Sequence, residues 1–150
     1  MDSAISASPN VPYARATRSL FRAATGDVAG AKEDAEIALS LDPSYPIPAL
    51  GALVKALWMS GDTVEALSRL RQAEAAILDK SHPTYTESYW VGIAEVAAGR
   101  SAKAMELFSN TKPQGAWAWF LFQGGEFVEF RRIPAVAARL AAIDPRRAAP

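Results

Sequence analysis

Gly26-Asp27-Val28-Ala29-Gly30-Ala31, Gly61-Asp62-Thr63-Val64-Glu65-Ala66 and Gly99-Arg100-Ser101-Ala102-Lys103-Ala104 are three copies of one pattern. Each is a glycine followed five residues later by alanine, and each stands between two stretches with helical spacing of apolar residues. The glycines lie 35 and then 38 residues apart, near the period of about 34 residues of stacked helix–turn–helix repeats. A glycine at such a corner supplies the left-handed backbone that other residues resist. Asp27, Asp62 and Ser101 follow as expected N-caps of the second helix of each pair.

Working outward, the spacing predicts helices over 13–24, 28–41, 46–59, 63–78, 85–98 and 101–110. Asp42-Pro43 stops the second, and Pro46 opens the third in a first turn that loses no amide bond. Thr84 with Glu87 three residues on reads as a capping box. Beyond Pro113 the pattern predicts an aromatic helix over 117–122, a turn at Gly124-Gly125 and a last helix over 134–143 closed by Asp144-Pro145. No stretch alternates with period two long enough for a strand. The expected fold is all-α, with a flexible segment over 1–11 and one domain over 12–150.

These residues resemble the tetratricopeptide repeat, with repeats at about 12–45, 46–80 and 84–111 and a C-terminal capping helical hairpin at 114–145. The first carries Gly26-Asp27, Ala31 and the closing Ala38-Leu39-Ser40-Leu41-Asp42-Pro43. The second carries Leu50, Leu53, Leu57, Gly61-Asp62, Ala66, Leu70 and Ala73. The third carries Val91-Gly92, Gly99, Ala104 and Phe108, but lacks the closing Asp-Pro. Small residues at Ser19, Ala31, Ala38, Gly92 and Ala104 would let antiparallel helices approach closely. The stretch from Glu126 to Pro134 is similar to the ending of tetratricopeptide regions in bacterial signalling proteins. The resemblance implies an α-solenoid whose function is to bind other proteins.

In that family the first helices of the repeats line a concave groove. The corresponding positions are Tyr13, Ala16, Thr17 and Leu20, then Pro48, Gly51, Ala52 and Lys55, then Thr86, Tyr89, Trp90 and Ile93. Apart from Lys55 they lack the Lys, Asn and Arg set that grips chaperone tails, so a carboxylate clamp is not expected. The expected ligand is a short apolar or amphipathic segment of a partner, with Tyr89 and Trp90 supplying contact area and Trp90 equally able to pack on its neighbour helix. Trp58, Trp117 and Trp119 read as core, although Trp117 and Trp119 stand two apart and cannot share one helix face. Arg15, Arg18 and Arg22 form an i, i+3, i+7 stripe. It reads as a polar N-terminal edge or as an anionic docking strip, paired internally with Glu33, Asp34 or Glu36.

Composition narrows the function classes. Sixteen basic residues balance sixteen acidic ones, so there is no overall field to attract nucleic acid or an anionic membrane. Without cysteine, thiolate catalysis and cysteine-held metals are excluded. His82 is the single histidine and sits in a proline-flanked loop; neither a metal pair nor a convergent acid–base set can be assembled around it. No cofactor, metal or catalysis is expected. The start has no secretory leader and no apolar run reaches membrane length, which predicts a cytoplasmic protein. The alternatives to an adaptor are a homodimer through the aromatic C-terminal hairpin, or a regulatory C-terminal appendage of a larger bacterial signalling protein.

Overall fold

The computed structural model describes residues 10–110, 123, 128–132, 134–144 and 146. The aromatic helix over 117–122, the Gly124-Gly125 turn and the segment 1–9 lie outside the described residues. Among those described, the protein is all-α: α1 (Pro12–Ala24), α2 (Val28–Leu41), α3 (Ile47–Met59), α4 (Thr63–Leu78), α5 (Tyr85–Ala97), α6 (Ser101–Asn110), α7 (Val128–Arg131) and α8 (Pro134–Ala142). The expected bounds of the first six hold to within a residue at either end. The short α7 carries no amphipathic repeat long enough to read from sequence.

The three turns are the same structure. Gly26, Gly61 and Gly99 have φ of 89°, 83° and 73°, and no other described residue has a positive φ. At the first corner the amide of Asp27 donates to Arg22 O at 2.9 Å and that of Gly26 to Ala23 O at 3.1 Å. Asp62 to Leu57 and Arg100 to Glu95 repeat the long bond at 3.0 and 2.8 Å. These are Schellman closures, which satisfy the carbonyls left over at the end of a helix. Asp27 and Asp62 then cap α2 and α4 by accepting from the amides of Gly30 and Glu65. Ser101 departs from its expected role: it is the first residue of α6, and Arg100 occupies the cap position, its carbonyl accepting from Lys103 and Ala104. Thr84 and Glu87 form the full capping box on α5.

Each glycine corner folds an antiparallel hairpin: α1 on α2, α3 on α4 and α5 on α6. The hairpins meet side by side, with α3 touching α1, α2 and α5. Small residues set the distances. Ser19 and Ala31 are fully buried and joined by a 2.7 Å bond from Ser19 Oγ to Ala31 O. A Cβ on Gly92 would collide with the Phe108 ring, and one on Gly51 would stand 2.5 Å from Trp90 O, so α5 lies directly against both α6 and α3. Ile47, Leu53, Leu57, Trp90 and Ile93 fill the space between, and Trp58 packs half-buried on its edge. Val136 and Leu140 of α8 join the same core beside Phe108. Arg139 Nη1 donates to Phe108 O at 3.0 Å, meeting a carbonyl of the final turns of α6.

Candidate functional site

The leading helices α1, α3 and α5 carry the residues expected to line a groove, and most of them are core. Trp90, Ile93, Tyr89 and Leu20 are 1%, 1%, 6% and 8% exposed. Lys55 is buried too, and Gly51 and Ala52 are covered where α5 presses on α3. Trp90 stands edge-on to Tyr13 and to Tyr89, with centroids 5.7 and 5.8 Å away. Among the described residues its indole N–H has no acceptor, and packing holds the ring. Thr17 and Thr86 are half-buried, and Thr17 Oγ1 donates to Tyr13 O at 2.8 Å. The physical reason is spacing: glycine at 51 and alanine at 52 bring α5 so near that its aromatic residues fill the trough.

The open part of this face is its rim. Tyr13 remains 41% exposed. With Val11, Pro12, Ala38, Asp42, Tyr45, Pro48 and Ala49 it lines a cavity of about 120 Å³ at the end where α1 and α3 begin and α2 ends. The loop after α2 builds one wall. Asp42 Oδ1 accepts from Ser44 Oγ at 2.6 Å and from the Tyr45 amide at 3.1 Å, a turn that delivers the Tyr45 ring to the mouth. Behind Tyr45, Lys80 Nζ lies 5.5 Å from the ring centroid and 2.8 Å from Glu87 Oε1. Burial first, and then the Glu87 charge, push the Tyr45 hydroxyl up from its ordinary value. Burial of Glu87 works to raise its carboxyl, but hydrogen bonds from Lys80 and Thr84 hold it below the usual carboxylate range.

Of the expected groove residues, Tyr13 and Pro48 reach this cavity. Val11, Asp42 and Tyr45 were not foreseen there, because Asp42-Pro43 reads simply as a helix stop. The one usable signal was the aromatic Tyr45 inside an otherwise polar turn. A hollow of this size suits one apolar side chain; an engineered cavity of about 150 Å³ admits benzene, whereas cofactor sites run from about 300 Å³ upward.

The arginine stripe faces inward. Arg18 grips Asp34 with two bonds of 2.6 Å, Arg15 adds one of 3.0 Å, and Arg22 Nη1 lies 3.1 Å from the other oxygen. Of the three acids considered, Asp34 is the partner, and its side chain is 1% exposed. Burial pulls its carboxyl upward, but the bonds from Arg18 and Arg15 and the nearby charges win, so it lies below the usual range. His82 is exposed in its loop. Among the described residues no group of three His, Asp or Glu is placed to hold a metal ion, and no helix is long and apolar enough to cross a membrane.

No family model matches the chain, and no curated protein or solved structure matches it either.

Proposed function

We propose that this chain is a tetratricopeptide-like helical-repeat module that binds a short apolar or amphipathic segment of another protein, without catalysis or a cofactor. Three hairpins with the same closure, repeating every 35 to 38 residues, support the repeat reading. The observation that carries the binding reading is the apolar cavity between Tyr13 and Tyr45, open at the rim of the leading helices. Tyrosines at such a mouth offer large contact area for little lost side-chain freedom. The docking point thus moves from Tyr89 and Trp90, which hold the core, to the start of α1 and α3. A partner segment places one apolar side chain in the hollow and lays its backbone across the two rings.

The test uses a double substitution, Tyr13→Ser with Tyr45→Ser, immobilised beside the wild-type chain and exposed to an extract of the native host. Proteins held by the wild type and released by the double variant support the reading, provided both chains melt cooperatively. Equal recovery on both removes this cavity as the docking point.

A further inference from the structure

A second polar cluster lies away from the cavity, where α4 meets the corner between α5 and α6. Glu95, near the end of α5, is 0% exposed, and among the described residues neither carboxyl oxygen receives a hydrogen bond. Arg100 Nε is 3.1 Å from Glu95 Oε2, an ion-pair distance without hydrogen-bond alignment. Across from it on α4 is Glu74, largely buried, whose Oε1 takes Arg100 Nη2 at 2.9 Å and also Lys103 Nζ. Arg100 is thus shared between the two acids and Lys103 goes to Glu74, so the more deeply buried carboxyl has one cation beside it but no hydrogen-bond donor aligned on it. An ionised carboxylate in that position would be very costly, whereas a neutral one can donate its proton to the acid beside it.

We propose that Glu74 and Glu95 share a proton that clamps α4 to the α5–α6 corner, and that this clamp weakens as the pH rises to neutrality. The groups facing Glu95 are Glu74 from α4, Arg100 from the turn and Lys103 from α6. On α3, which also packs on α5, the sole ionisable residue is Lys55. α8 places Arg139 at the other end of α5, near Tyr85.

The direction follows from the surroundings. Burial, and then Glu74, push the Glu95 carboxyl up to about 7, while Glu74, raised by burial but bonded by Lys103, is held below its ordinary value. In an opened corner Glu95 meets water and titrates as an ordinary carboxyl, near about 4.3. Closing the corner takes up a proton between those two values. Over that window the closed form loses up to about tenfold in population ratio per pH unit, and above it the ratio is flat.

Carbon-detected NMR of the whole chain follows the Glu95 carboxyl directly, and amide exchange reports the opening. The expected transition lies near 7, with protection in the second half of α4 falling faster with pH than in α1 and α2. Glu95→Gln, a mimic of the neutral acid, abolishes that extra fall. A Glu95 transition below about 5.5, parallel losses in α1 and α4, or an unchanged slope in Glu95→Gln would each overturn the clamp. If that variant does not fold, Glu74→Gln decides. Removing the neighbouring charge lowers the Glu95 transition by about one unit, and an unmoved transition refutes the shared proton.

Discussion

The rings of Tyr13 and Trp90 meet edge to face, with centroids 5.7 Å apart and planes at 88°, so a residue of the first helix touches one of the fifth. Two hairpins that are not consecutive in sequence are thus joined across the start of α3. Trp90 is almost wholly enclosed there, while Tyr13 keeps one edge in water.

That difference separates the two positions in mutation. Trp90→Ala opens a large hole in the core and is expected to cost about 3–5 kcal/mol, a large fraction of the stability of a typical domain. Tyr13→Ala loses an aromatic contact and partial burial, with an expected cost of about 1–2 kcal/mol. Urea denaturation of both variants measures the ratio. Comparable losses would show that Trp90 is less embedded than its enclosure implies.

Gly51 reverses the usual effect of glycine. In an open helix interior, alanine in place of glycine adds about 1 kcal/mol of stability. Here the added methyl meets backbone, 2.5 Å from Trp90 O, and neither helix can yield without disturbing the core. Gly51→Ala is expected to destabilise by about 1–3 kcal/mol. At Gly61 the cause differs: nothing stands within 4 Å of an added Cβ, but φ is +83°. Gly61→Ala is expected to cost about 1 kcal/mol through backbone strain alone. Thermal melts of the two variants test this, and a stabilised Gly51→Ala would refute the close approach of α3 and α5.

Asp34 governs the α1–α2 hairpin. Replacing it with Asn leaves Arg15, Arg18 and Arg22 crowded without their shared anion, at an expected cost of about 3 kcal/mol. Because its carboxyl is depressed in the folded chain, its contribution is present above about pH 4 and fades as the pH falls through the lowered value. The wild type should therefore lose stability in acid more steeply than Asp34→Asn. Denaturation midpoints from about pH 2 to 6 check the slope, and identical acid limbs would remove the triple arginine grip as a source of stability.

Much of the architecture was legible. The corners were marked by glycines that need a left-handed backbone, and the helix starts by Asp27, Asp62 and Thr84, whose side chains can reach amides three residues on. Ser101 misled by one position because Arg100 caps with its main chain, which leaves no side-chain signal. The site was much less legible. Tyr89 and Trp90 carry the side chains expected of a binding face, yet they are core because Gly51 admits α5 to contact with α3. Tyr45 sits in a turn whose shape depends on Asp42 and Ser44, and no periodicity points to it.

Local chemistry alone decided where the chain bends at its glycine corners and where α2, α4 and α5 begin, since those choices rest on one residue's backbone freedom or one side chain's reach. Which aromatic ring faces water was settled only by the approach of helices distant in sequence. That distance depends on the combined volumes of residues from three hairpins, and no single stretch of the chain contains it.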